Sequence, residues 1–158
     1  MKILVLNGPN LNLLGVREPE IYGTLSLDDI NQLIEAYARE LNQERATNRN
    51  AELIELSFFQ SNHEGVLIDM IQDAPQSYAG IIYNPAAHTH YSIALRDAIA
   101  SIPLPVVEVH LSDISQREGF RSVSVIEEVC IGQCKGKHVD SYKDALDMIV
   151  AHIDKKNE

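Results

Sequence analysis

The stretch Ile3-Leu4-Val5-Leu6-Asn7-Gly8-Pro9 decides the fold. Four apolar residues run together without polar alternation, the pattern of a buried strand. Gly8-Pro9 stops the run, because proline has no N–H for a ladder and glycine admits a sharp turn. A loop rich in Asn and Gly follows as far as Thr24. Ser26 then reads as a helix N-cap, with Asp28 and Asp29 in the first turn, where the helix dipole favours acids. Ile30, Leu33, Ile34, Tyr37, Ala38 and Leu41 recur at helical spacing behind it.

Outward from this unit the same alternation repeats. Residues 42–50 are polar and read as a surface connection. Further strands are predicted over 53–59, 80–83 and 106–109, with a fifth within 123–131. Helices are predicted over 65–71, closed by Pro75, over 91–102, stopped by Pro103 and Pro105, and over 141–153. Strands alternating with helices predict a parallel sheet with right-handed crossovers. Five strands in 158 residues predict an α/β, flavodoxin-like doubly wound sheet in three layers. No linker, repeat or low-complexity tract interrupts residues 1–158, so a single domain is expected.

Composition narrows the function. The formal charge of −10 argues against binding a phosphate backbone or an anionic membrane surface. It leaves room for an anionic small molecule, since a few arginines can set the potential inside a cleft. The apolar run at residues 3–6 is too short for a signal peptide or membrane span, so a cytoplasmic enzyme is expected. Cys130 and Cys134 stand in a C-x3-C spacing, which reads as two ordinary reduced thiols rather than a redox or zinc pair.

In doubly wound sheets the ligand sits beyond the carboxyl ends of the strands. That rule points to residues 7–22, 60–64, 84–90 and 110–121, the parts of the chain richest in polar groups. In the first, Asn7, Asn10 and Asn12 can bind their own loop backbone. Arg17 and Tyr22 follow; alone they would be surface decoration. An arginine beside a tyrosine can also pull the phenol below its ordinary pKa of about 10 and make it a base. The third holds His88 and His90, with Asp97 nearby. These can be read as hydrogen-bond donors at a helix N-terminus or, less well, as part of a metal set without a third ligand at known spacing. In the fourth, Glu108 and His110 share one face of a strand. A carboxylate on one ring nitrogen fixes the tautomer of a general acid, although a buried salt-bridged pair would look the same. Arg117 and Arg121 are candidate clamps for a carboxylate.

Taken together, these segments resemble the type II 3-dehydroquinate dehydratases. The resemblance is carried by Asn7-Gly8-Pro9-Asn10-Leu11-Asn12-Leu13-Leu14-Gly15, Arg17-Glu18-Pro19, Tyr22-Gly23, Gln60-Ser61-Asn62-His63-Glu64-Gly65, Asn84-Pro85, Thr89-His90, Ala94-Leu95-Arg96-Asp97-Ala98, Glu108-Val109-His110-Leu111-Ser112 and Arg117-Glu118, in the family's order. It implies a cofactor-free, metal-free lyase of the shikimate pathway or of quinate breakdown, assembled as a dodecamer of trimers. The reaction implied is loss of water from 3-dehydroquinate to give 3-dehydroshikimate through an enolate.

By the same resemblance Tyr22 is the base and Arg17 the cation that keeps it ionised. Asn10 would stabilise the enolate, and His110 would be the acid, oriented by Glu108. Asn84, His90, Asp97 and Arg121, with the Leu111 backbone and the Ser112 hydroxyl, would bind substrate. The residue types suit that chemistry: an enolate needs nearby donors, and a poor leaving hydroxyl needs a proton as it departs. None of Lys2, Lys135, Lys137, Lys143, Lys155 and Lys156 falls at the expected site, which disfavours an imine route. The chain departs from the family at Asp113, at Ser122-Val123 and over residues 130–142.

The alternative is a flavin- or phosphate-binding module of the same fold. It would need a Ser/Thr/Gly-rich loop where Pro9, Leu11, Leu13 and Leu14 stand. A receiver-type signalling domain would need acids where the chain has Asn7 and Asn84.

Overall fold

A computed structural model describes residues 1–16, 24–48 and 51–157. Its five strands are β1 Lys2–Asn7, β2 Glu55–Gln60, β3 Gly80–Asn84, β4 Val106–His110 and β5 Gly132–Lys135. They form one sheet in the order β2-β1-β3-β4-β5, and every pairing is parallel. Four helices are described: α1 Leu27–Arg45, α2 Glu64–Asp73, α3 Ile93–Ala100 and α4 Asp140–Asn157. The expected doubly wound α/β class is the one observed.

Alternation along the strands sorts the core into two layers. Ile3, Val5, Ile82, Val107 and Val109 pack against Ile30, Ile34 and Ala38 of α1 and Tyr142, Leu146 and Ile149 of α4. Leu4, Leu6, Ile81, Tyr83 and Val106 face the other way, against Leu67 and Ile71 of α2 and Leu95 and Ile99 of α3. A fully buried Ile or Leu side chain contributes roughly 1.5–3 kcal/mol, so each helix is held by its stripe rather than by propensity. The cap predicted at Ser26 forms: its Oγ accepts from Asp29 N at 3.1 Å, and Asp29 Oδ2 accepts from Ser26 N at 2.9 Å. This reciprocal box fixes where α1 begins.

The fifth strand is not where the apolar pattern put it. Residues 123–131 hold a short 3₁₀ turn, Glu127–Val129, and the strand forms afterwards at Gly132–Lys135. Ser124 Oγ accepts from Ile126 N at 3.1 Å and Glu127 N at 3.0 Å, which curls the chain before a ladder can form. Ile126 drops into the core. β5 is an edge strand with only Cys134 buried, so its four residues carry no apolar signature. The third helix also starts later than predicted, because Ala86–His90 winds into a 3₁₀ turn and Ser92 caps α3 through Leu95 N.

Candidate active site

Asn7, Asn84 and His110 are the last residues of β1, β3 and β4. The first two are register partners, at the switch point of the sheet. Beyond them the two loops almost touch. Gly8 N donates to Asn84 O at 2.7 Å, and a Cβ on Gly8 would stand 2.6 Å from Pro85 O. Only glycine allows that approach. Behind it, the fully buried Tyr142 hydroxyl of α4 donates to Asn7 Oδ1 at 2.7 Å and accepts from Asn84 Nδ2 at 2.8 Å. Asn84 Oδ1 accepts from Ala86 N at 3.1 Å, so this amide has one orientation.

Asn10 has φ 67° and ψ −3°, the left-handed conformation that asparagine tolerates better than most residues. It is held there by Asn62 Oδ1, which accepts from its N–H at 2.9 Å and from Gln60 Nε2 at 3.0 Å. The stretch after β2 therefore braces the loop after β1.

Glu108 and His110 do share one face of β4. His110 Nε2 lies 2.7 Å from Glu108 Oε1. Glu108 has no exposed surface, yet it is surrounded by donors. Thr89 Oγ1 donates to it, as do Ser124 Oγ at 2.9 Å and Gln133 Nε2 at 2.9 Å. Burial is the largest single influence and pushes this carboxyl up. The hydrogen bonds and charge of His110, with those of Thr89 and Gln133, outweigh burial and hold it below the ordinary carboxylate range. A carboxylate only accepts, so Nε2 carries a proton and Nδ1 is the ring nitrogen left for chemistry.

These strand ends surround a cleft of about 180 Å³. Asn10, Asn84, His110, Leu111, Ser112 and Arg121 all line it, as the sequence reading expects, and Arg117 adds a second guanidinium. The volume is below the roughly 300–1,000 Å³ of drug-sized sites, which suits a small ligand. Two arginines line the cleft, and both also reach the exposed Glu118, Arg121 at 3.3 Å and Arg117 at 3.7 Å.

The remaining predicted residues stand elsewhere. His90 lies beside the cleft: its Nδ1 meets Val123 O at 2.7 Å, and its ring meets Phe120 edge-on at 6.4 Å. Phe120 in turn carries the Arg121 guanidinium 5.3 Å from its ring centre. Asp97 is on the exposed side of α3 and does not line the cleft. Tyr22 and Arg17 lie outside the described residues. Among the described residues no group of three His, Cys, Asp or Glu side chains could hold a metal ion. No described helix is long and apolar enough to cross a membrane. Asp113, where the chain departs from the family, caps a 3₁₀ turn by accepting from Ser115 N at 3.0 Å.

Sequence reading missed four residues of this site: Thr89 as a Glu108 donor, Ser124, Gln133 and Tyr142. The usable signal was Glu108 itself, since a buried carboxylate requires donors from neighbouring elements.

Fold and cleft together define a doubly wound α/β protein with a histidine–carboxylate pair and two arginines at the carboxyl ends of its strands. The chain belongs to the class II dehydroquinase family, whose model, described as "Dehydroquinase class II", matches residues 1–150. It is 54% identical over 155 residues to the 3-dehydroquinate dehydratase of Geotalea daltonii, covering 98% of this chain and 100% of that one. To the Halothermothrix orenii 3-dehydroquinate dehydratase it is 52% identical, covering 98% and 97%. The type II dehydroquinase structure from Butyrivibrio crossotus matches with a TM-score of 0.85 at 46% identity, covering 94% of this chain and 97% of that one. A flavin- or phosphate-binding module finds no support in these matches.

Proposed function

We propose that the protein is a 3-dehydroquinate dehydratase that removes water through an enolate, without cofactor or Schiff base. The single observation that carries the reading is the buried Glu108 beneath His110, which lines a cleft together with two asparagines and two arginines, in a chain of this family. The substrate carboxylate is held by Ser112, the Leu111 backbone and Arg121. Tyr22, kept as phenolate by Arg17, takes the proton beside the ketone. The C–H electron pair moves onto the carbonyl oxygen, where Asn10 stabilises the enolate through an ordered water. His110 then gives its Nδ1 proton to the departing hydroxyl as the C–O bond breaks, and the enolate collapses to a conjugated enone. Asn84 and His90 complete the substrate-binding set of this protomer, and Asp97 belongs to the set through a neighbouring copy.

This enzyme works in the cytoplasm as a homo-oligomer, a dodecamer of trimers. Support for assembly comes from Tyr91, Ile93 and Phe120, large apolar side chains left exposed around His90 and Asp97. A second copy against that face would bring Asp97 into use.

Adding 3-dehydroquinate to the protein should raise ultraviolet absorbance as the enone forms, with no metal supplied. Folded protein that stays silent in that assay removes the reading. Tyr22→Phe should keep the fold and substrate binding while losing most turnover; near-parental turnover would sink the base assignment.

A further inference from the structure

Glu108 does more than touch His110. It meets four donors from four segments: His110 of β4, Thr89 of the turn after β3, Ser124 of the loop before β5, and Gln133 of β5. Gln133 is the register partner of Glu108 across the β4–β5 ladder, so its side chain reaches the carboxylate directly. Its amide orientation has a cost. Nε2 donates to Glu108, while Gln133 Oε1 is buried with no partner among the described residues. An orphaned buried carbonyl is destabilising. The reverse orientation would set that oxygen against the carboxylate. A leucine here would avoid the orphan but leave the buried Glu108 carboxylate one donor short, so the amide's place is set by the carboxylate it serves.

We propose that Gln133, with Ser124 and Thr89, is a positioning residue for the dehydration: together they occupy the Glu108 carboxylate so that it takes no proton, His110 Nε2 keeps its own, and Nδ1 alone serves the substrate. The proposal rests on the dehydratase reading and deepens it. Glu108 stays an anion throughout the cycle and is an anchor, not a proton relay. Gln133 acts from a strand that does not line the cleft, as part of the carboxylate's second set of bonds.

The titratable groups facing Glu108 are His110 from its own strand, Tyr83 from β3 and Cys130 from the segment leading into β5. Tyr83 and Cys130 are both pushed up by burial, so both are neutral in the working range. The remaining titratable partner is His110, which bonds the carboxylate at 2.7 Å, and the neutral donors set the rest.

Gln133→Leu and its parent should be compared with 3-dehydroquinate across pH. A hydrogen bond to a charged group is expected to be worth about tenfold in kcat here. KM should stay within about twofold. The loss should grow as pH falls, because Glu108, one donor short, gains a proton where the parent's stays ionised. A parental kcat profile in Gln133→Leu overturns the proposal. A uniform loss across pH with a raised KM overturns it too, since that is what mere loosening of β5 would give. If Gln133→Leu does not fold, Ser124→Ala and Ser124→Thr decide the same question. Alanine should show the pH-weighted loss and threonine should restore it; two equal variants overturn the proposal. A parent that is itself silent on 3-dehydroquinate brings down the dehydratase reading and this inference with it. With an active parent, a failure of the variants to behave as stated counts against the role of Gln133 alone.

Discussion

His110 Nε2 sits 2.7 Å from a Glu108 carboxylate that has no exposed surface. That relationship fixes which nitrogen can work. A ring held at Nε2 by an anion presents Nδ1, and the acid proposed at Nδ1 is only as well placed as the carboxylate behind it. His110→Ala should lower kcat by about 10²–10⁴-fold, the usual range for a lost general acid. Glu108→Gln should also lose turnover, with four donors left facing a neutral amide. The double variant should be little worse than His110→Ala alone, because residues that act as one unit are not additive. Steady-state kinetics on the three variants checks this; additive losses would mean that Glu108 acts on something other than His110.

The same carboxylate makes stability depend on pH. Its native pKa lies below the ordinary glutamate value, pulled there by His110, Thr89 and Gln133 against the opposing effect of burial. A depressed native pKa stabilises the fold above the unfolded value of about 4.3 and ceases to do so as pH falls through the native one. Asp154, held low by Arg45 at 2.6 Å, adds in the same direction. Its share is smaller because its side chain is 40% exposed and screened by solvent. Denaturant unfolding should therefore show a parent that weakens as pH drops below the carboxylate range. Glu108→Gln should be weaker at neutral pH and show a shallower acid decline. Parallel curves for the two proteins would contradict the assignment.

The parts of the molecule that could be read from the sequence are those with a repeating physical cause. Ile3 to Leu6 announced a buried strand because both faces are covered, and Ser26 announced α1 because its hydroxyl and Asp29 satisfy each other. Seven predicted residues reach one cleft because a parallel sheet delivers every strand end to the same edge. β5 was misplaced because Gly132, Gln133 and Lys135 are only half-buried at an edge, while Val123, Val125 and Val129 imitate a strand in a segment that Ser124 curls by accepting from Ile126 N and Glu127 N. Gln133 and Tyr142 were missed for a different reason. Their importance lies in what they meet across the fold, 25 residues from Glu108 in one case and 58 from Asn84 in the other, and no local pattern records a long-range hydrogen bond.

Gly8 is a steric joint between two arms of the cleft. A methyl group there would stand 2.6 Å from Pro85 O and 3.0 Å from Asn84 O, both backbone atoms that cannot swing aside. Gly8→Ala must push the loop after β1 away from the loop after β3, stretching the 2.7 Å bond from Gly8 N to Asn84 O. Overpacking of this kind costs about 1–3 kcal/mol. It should also separate Asn10 from Asn84 and lower kcat/KM at least tenfold, since misplacement of about 1 Å is expensive in a preorganised site. Thermal melting and kcat/KM measured together test this. An alanine variant with parental values in both would show that the loops part without consequence.

Tyr142 links stability to binding more selectively. Its hydroxyl is the only described partner shared by Asn7 Oδ1 and Asn84 Nδ2, and all three side chains are buried. Tyr142→Phe keeps the ring in the core but leaves that acceptor and that donor unpaired. The expected cost is about 1–3 kcal/mol, because each group loses its bond without regaining water. For a domain of this size each kcal/mol corresponds to roughly 2–4 °C in Tm. Asn84 lines the cleft, and its orientation rests on Tyr142 at one end and Ala86 N at the other. With one anchor gone the amide can turn, so KM for 3-dehydroquinate should rise several-fold while kcat falls less, His110 and Glu108 being untouched. Melting temperature and the split between KM and kcat distinguish the outcomes: a lowered Tm with an unchanged KM would mean that Ala86 N alone is enough to hold Asn84 in place.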